Sequence, residues 1–557
     1  RPPLSALAYW GGAMVAILVA FAPGRWPRVR LVRSETAGRA ALLLAILALA
    51  GWERLADPGR MPPAFGGDEV LQIVEGTALW NGSNRSNLFG MGRYQAMRLS
   101  LLPGAIGKLL FEDRIGGPRL VHGLIGTASV VLAAAAAWLI AGPWAGIGCA
   151  AVLAFAPHHV HFSRIASHMI LDSLTAGALL LAMLALRRSP SPGTAAITGL
   201  VAGLALYGYF GGRVIGLTFL LGLLPAVARV RPRRRAANLV AISLLAFLVV
   251  AAPTLWWGAQ HPESWAHRHT SIFNPVWWNF KVAEFGSPAR VLREQFLAGT
   301  IDLLSTESSW EWFTGYPMLE PVFLLPLFLA GCGWLVGRKR FFEAALLCLL
   351  AAGNFALVVF SESAPAPQRA SSLVPVLAIG GGVAIAAAGL LFPARTRSSF
   401  PARTVAGTLA AAAILLWTFR GSPGIWNPSI GYGGDGAALP NGAWLLLRAP
   451  RWAGASVSLH SLPEISSKHP DFGYLLPKIS WVDVDPDKDF FPPSPGLHLF
   501  FRESIEKGRE WQQCLLLPYG IALPDLDNPV RDIAYAVLVP ETEAAGGLLP
   551  EASKKAD

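Results

Sequence analysis

The chain has 557 residues, of which 53% are hydrophobic and only 15% charged, and its mean hydropathy is +0.45. A soluble protein carries roughly 25% charged residues, so a string of soluble domains is excluded. The formal net charge of +11 comes mostly from arginine. The arginines sit in short clusters between apolar runs, which reads as membrane topology rather than as a nucleic-acid footprint.

In chain order, twelve apolar segments are candidate spans: 4–22, 38–55, 118–141, 143–157, 169–186, 194–210, 214–229, 236–257, 317–336, 341–360, 371–392 and 402–419. Several fall short of the roughly 20 residues that a helix needs to cross the hydrocarbon core, which tilt or local thinning accommodates. Arg1 rather than a methionine stands first, so a short preceding piece is expected. Cys149, Cys332 and Cys348 lie in apolar segments and Cys514 in a water-facing one. This set supports neither a disulfide framework nor a CxxC metal knuckle.

The positive-inside rule orients the spans. The clusters Arg25–Arg33, Arg187–Arg188, Arg229–Arg235, Arg338–Arg340 and Arg395–Arg403 all fall on one side when the spans alternate. Segments 56–117, 258–316 and the tail 421–557 then lie on the outer side, as do both termini. Amphipathic helices are predicted around Val70–Trp80, Tyr94–Leu110 and Asn274–Phe280, with Trp256, Trp257, Trp277 and Trp278 at headgroup depth. The tail has β-like runs at Trp444–Leu447, Ser456–Leu459, Ile479–Val484, Leu497–Phe501 and Ala534–Val539, and a helical stretch at Arg502–Cys514. It reads as a small α+β domain. The expected division is a membrane domain, 1–420, and an external domain, 421–557. Neither a repeat of 20–50 residues nor an inverted repeat is evident.

The first outer loop opens with a Pro/Gly turn, Pro62 to Gly67, followed by Asp68, Glu69 and a helix. Two readings stand side by side. Asp68 is an N-cap with Glu69 as a first-turn acid, or Asp68 is a general base whose pKa is raised beside an apolar wall.

Gly67-Asp68-Glu69, Glu75-Gly76 and Leu79-Trp80-Asn81-Gly82 resemble the acidic loop of GT-C membrane glycosyltransferases, the protein O-mannosyltransferases and aminoarabinose transferases of family 39. Further pieces follow in the family's order: Arg119-Leu120 with Gly123–Thr127, Ala156–His159 with Phe162-Ser163-Arg164, and Tyr207-Gly208-Tyr209 with Arg213. Pro262-Glu263-Ser264 with Arg268 and Ser271–Phe273 comes next, then Pro365, Pro367, Gln368, Arg369 and Pro375. The resemblance covers about residues 60–390. It implies a GT-C-like helical bundle of about twelve spans. The implied reaction is inverting transfer of a sugar from a polyprenyl-phosphate donor to a hydroxyl on a protein, lipid or glycan acceptor. Asp68 matches the family's base, and Glu69 would orient the acceptor or the base.

Arg164, Arg213, Arg268 and Arg369 stand at outer ends or loops, against the positive-inside bias. Bidentate guanidinium groups suit the donor phosphate, and snorkelling or pairing with Glu263, Glu284 or Glu362 is the alternative. His158, His159, His161 and His168 gather at one outer turn, and His261, His267 and His269 in the large loop. Some relatives hold a divalent metal near the donor phosphate. His267 and His269 are the candidate ligands here, although no HExxH or CxxC accompanies them. The sequon matches at Asn81 and Asn84 read as chance.

The resulting expectation is a multi-pass protein of a bacterial-type inner membrane, surrounded by lipid, with its active site and tail on the periplasmic side. A non-catalytic GT-C-like scaffold subunit that binds lipid or partner proteins is the alternative. A transporter ranks third, because the spans carry few ionisable residues at mid-depth.

Overall fold

Long apolar runs fold as helices because a helix satisfies its own backbone where water is absent. The computed structural model describes residues 2–21, 34–59, 67–92, 97–111, 115–265, 275–303, 321–361, 364, 366–391, 456–460, 478–484, 496–501, 520–522 and 533–539. Its helices are α1 (Pro2–Ala20), α2 (Ser34–Leu55), α3 (Gly67–Asn81), α4 (Leu102–Phe111), α5 (Gly116–Ala141), α6 (Pro143–Phe155), α7 (Pro157–Arg164) and α8 (Ile170–Arg188). They continue with α9 (Pro192–Ala205), α10 (Gly211–Val227), α11 (Arg233–Gln260), α12 (Pro275–Phe285), α13 (Pro288–Leu297), α14 (Pro321–Gly337), α15 (Phe341–Val359) and α16 (Leu373–Leu391).

Local signals set many of the ends. Pro143, Pro157, Pro192 and Pro288 open their helices at positions where a missing N–H costs nothing. Ser191 and Thr194 form a capping box on α9. Gly142 ends α5 at φ +88°, a conformation that glycine adopts without strain.

Eleven of the twelve predicted spans coincide with a described helix, and the segment 402–419 lies outside the described residues. By length and composition, four described helices can cross a membrane: α5, α8, α11 and α15. A fifth crossing results if α6 and α7, which meet at 62°, count as one broken span. The 14 residues of α9 rise only about 21 Å against a core of about 30 Å. The count of twelve therefore exceeds what helix length alone supports.

The chain divides into two compact units, one of Arg1–Gly59 with Gln72–Trp426 and the other of Arg60–Leu71 with Asn427–Asp557. The first is a helical bundle whose core is rich in small residues. Ala133, Ala134, Ala136 and Ala137 of α5 are buried against α6 and α8. A Cβ on Gly199 of α9 would strike the Ser243 carbonyl of α11, so the two backbones touch there. Close crossings of this kind replace the hydrophobic effect, which lipid does not supply between helices.

Helix polarity then sorts the bundle's ends. At one end Arg187 donates to the Pro225 carbonyl, Arg188 to Leu139, Arg235 to Pro190 and Arg340 to Ile140. The basic clusters of three loops are thereby gathered at a single end, as the alternation of spans requires.

The second unit contains a five-stranded sheet of order β2-β1-β3-β5-β4. Its strands are β1 (Ser456–His460), β2 (Ser480–Val484), β3 (Gly496–Phe501), β4 (Gly520–Ala522) and β5 (Ile533–Val539). β1 runs parallel to β2 and β3, while β5 runs antiparallel to β3 and β4. In β1, Val457 and Leu459 are fully buried, two residues apart on one face. Four of the predicted β-runs are strands, β4 was not anticipated, and Trp444–Leu447 and Arg502–Cys514 lie outside the described residues.

Candidate functional site

The N-terminus of α3 carries the acidic pair. Glu69 is 2% exposed, and the side chain of Asp68 lies outside the described residues. One turn further on, the side-chain Oε1 of Gln72 accepts from the backbone N–H of His168 at 3.0 Å and lies 2.9 Å from its Nδ1. Glu75 pairs with Arg98 at 3.1 Å. These contacts fix the body of α3 at the end of the bundle opposite the basic cluster, since His168 immediately precedes α8.

At that same end, two buried arginines tie helix ends together. Pro157 has no N–H, so the Leu153 carbonyl loses its intrahelical donor where α6 breaks. Arg54, fully buried at the C-terminus of α2, replaces it. Its guanidinium donates to Leu153 (2.6 Å), Ala154 (3.0 Å) and Ala50 (2.8 Å), and lies 2.9 Å from His159 Nδ1. A guanidinium only donates, so Nδ1 accepts and the ring proton sits on Nε2, 3.2 Å from Ser129 Oγ. Arg164 reciprocates from the end of α7, donating to the carbonyls of Glu53 (2.6 Å) and Ala56 (2.7 Å). Gly126 leaves room for this clasp, because a Cβ there would meet Ser163 Oγ.

The turn Leu206–Phe210 joins α9 to α10 beside the start of α8. The Tyr207 hydroxyl donates to the Val250 carbonyl at 2.8 Å. Asp172, fully buried in the first turn of α8, accepts from the Tyr209 N–H at 2.7 Å. The N–H groups of Gly211 and Gly212 and the charge of Arg213 also act on this carboxylate. Ser173 Oγ donates to Ser371 O, and Ser372 Oγ to Asn354 Oδ1, each at 2.5 Å.

Two predicted arginines meet at this turn. The Arg213 guanidinium lies 5.6 Å from the centre of the Phe210 ring and 4.7 Å from that of Trp265. Arg369, from the short 3-10 helix Pro367–Ala370, lies 5.0 Å from the same Phe210 ring. Arg213 Nη1 is buried without a hydrogen-bond partner. Arg213 also occupies the first turn of α10, where the helix dipole disfavours a cation and favours an anion. The arrangement is suited to hold a phosphate or another anion.

Of the residues singled out from sequence, Arg213 and Arg369 are brought together. Arg164 belongs to the α2–α7 clasp, and Arg268, His267 and His269 lie outside the described residues. Among the described residues no group of three or more His, Cys, Asp and Glu side chains could hold a metal. His158, His159, His161 and His168 are buried in the protein. The reason is that residues 157–164, read as an outer turn, coil into α7 and pack against α2, α5 and α6. Arg54 and Asp172 were missed. Each bears a charge at an apolar helix end, the same signal that singled out Arg164.

Fold and site together define a polytopic helical membrane protein with a buried polar network at one end. No known family profile and no characterised protein matches the sequence. Among solved structures, the chain is similar to the Archaeoglobus fulgidus oligosaccharyltransferase in its apo form. The TM-score is 0.48 at 13% identity, over 81% of this chain and 65% of that one. The complex of that protein with zinc and sulfate gives 0.47 at 14% identity, over 79% and 62%. ArnT from Cupriavidus metallidurans bound to undecaprenyl phosphate gives 0.46 at 16% identity, over 90% and 98%. The chain thus spans just under two thirds of the oligosaccharyltransferase.

Proposed function

We propose that the chain is a GT-C-type glycosyltransferase that moves a sugar from a polyprenyl-phosphate donor to a hydroxyl acceptor on the outer face of the membrane. The observation that carries this reading is the pair Arg213 and Arg369 on one aromatic ring, with Arg213 Nη1 buried and unpartnered. The ordered family-39-like pieces between residues 60 and 390 support it from the sequence side. In this proposal Arg213, Arg369 and Arg268 bind the donor phosphate, and Arg164 holds the helix ends behind them. Asp68 takes the acceptor proton as the hydroxyl attacks the anomeric carbon and the lipid phosphate leaves with the bonding pair. Glu69 orients the acceptor or the base. A phosphate leaving group needs no paired acid. His267 and His269 would serve any divalent metal beside the phosphate. The polar end faces outward because the arginine-capped end is cytoplasmic under the positive-inside rule.

The test is transfer by the purified protein in lipid nanodiscs, with radiolabelled polyprenyl-phosphate sugars and a membrane extract as acceptor source. Labelled product that depends on Asp68 is the expected result. Failure to transfer together with failure to bind the lipid phosphate would overturn the reading. The second reading, a non-catalytic scaffold of the same fold, is favoured by the clasp, in which both terminal nitrogens of Arg54 and of Arg164 are committed to backbone carbonyls. Lipid binding without transfer would select it.

A further inference from the structure

We infer that Asp172 is a positioning residue. Its carboxylate, supplied from α8, caps the N-terminus of α10 and fixes the turn that carries Phe210 and Arg213. The inference rests on reading those arginines as the phosphate site.

A helix begins with four N–H groups that lack intrahelical partners. The residue that should cap α10 is Phe210, whose side chain makes no capping bond. Asp172 fills the role from a neighbouring helix. Its Oδ1 accepts from the Tyr209 N–H at 2.7 Å, and the Gly211 and Gly212 N–H groups act on the same carboxylate. Two glycines make the approach possible. A Cβ on Gly208 would collide with Asp172 Oδ1, and one on Gly211 would come within 2.8 Å of Oδ2. The turn is therefore shaped around a carboxylate rather than around a generic side chain. Asp172 also supplies the negative charge that offsets Arg213 in the first turn of α10. No Asp172–Arg213 ion pair closes among the described contacts, so the guanidinium remains available to a ligand while its backbone is held. Ser372, bound to Asn354, walls the other side of Gly211.

The experiment uses the full chain in nanodiscs. Hydrogen–deuterium exchange is read at peptides covering 207–213, and binding of undecaprenyl phosphate is read separately. Asp172→Ala should raise exchange across the turn about fivefold or more, because a lost cap opens the helix start. Asp172→Asn keeps an acceptor for the Tyr209 N–H and should stay close to the parent. Gly208→Ala leaves the carboxylate in the chain but pushes it off the turn, so it should reproduce the Asp172→Ala exchange. Asp172→Ala and Arg213→Ala should each weaken lipid binding about tenfold, and the double variant should lose little more than either alone. Unchanged exchange at 207–213 in both Asp172→Ala and Gly208→Ala would overturn the inference, as would additive losses in binding. A parent that binds no lipid phosphate, while exchange responds as described, would overturn the phosphate reading and leave the capping role standing.

Discussion

The Arg54 clasp gives the most quantitative expectation. Substituting Arg54→Met keeps an unbranched apolar stem but removes every donor. The Leu153 carbonyl, whose natural donor position is occupied by Pro157, is then buried without a partner, and the Ala154 carbonyl loses its 3.0 Å bond. An orphaned buried carbonyl costs about 1–3 kcal/mol and a lost bond to a charged donor about 1.5–3 kcal/mol. Relief of the guanidinium's own desolvation offsets part of this. The net loss expected is about 2–4 kcal/mol, measured by equilibrium unfolding in mixed micelles with tryptophan fluorescence as the signal. The mechanism makes a second demand. Pro157→Ala restores an N–H to the chain at the position that Leu153 lacks, so Arg54→Met in that background should cost about 1 kcal/mol less. Strictly additive losses would refute the account of why a charge is buried there.

Three further outcomes follow from the proposal. Asp68→Asn should lower single-turnover transfer at least about a hundredfold while the melting temperature is nearly kept, because Asp68 is the second residue of α3 and Asn keeps its size, giving up only the charge at the helix start. A fully active variant would end the role of Asp68 as base. Arg268→Ala should weaken donor use more than Arg268→Lys, which keeps the charge and loses the fork. Equal donor KM values for both variants and the parent would remove Arg268 from the site. A cysteine placed by Arg234→Cys should resist a membrane-impermeant label in intact cells and react after lysis, and labelling of intact cells would invert the topology.

Much of the bundle was legible because hydropathy and charge act over whole segments. Apolar runs locate helices, and the arginine clusters Arg187–Arg188, Arg229–Arg235 and Arg338–Arg340 mark one end without knowledge of packing. The break at Ala156-Pro157 was legible as a turn but not as the buried helix α7. A proline marks where a helix stops, while burial of the next turn depends on α2, α5 and α6 closing over it. The predicted arginines shared one signal, charge at an outer end. Only packing separates Arg213 and Arg369, which meet at Phe210, from Arg164, which is consumed by the carbonyls of Glu53 and Ala56. Asp172 was hidden for a different reason. Its partner is a turn 37 residues away, and only the collisions that a side chain at Gly208 or Gly211 would create reveal why that turn is glycine-rich. The sheet's parallel pairs were equally hidden, since strand runs carry no information about which neighbour they choose.

The arginines at the basic end have a consequence for biogenesis. Arg187, Arg188, Arg235 and Arg340 are read during insertion as charge alone, for which lysine would serve equally. In the finished bundle each donates to a carbonyl near a helix terminus or in a connecting turn, and the planar guanidinium geometry matters. Threading instruction and structural staple are thus written in the same residues. Changing these arginines to lysine would preserve the orientation in which the chain is inserted and loosen what is assembled from it, so delivery to the membrane and integrity within it become separable quantities in one set of variants.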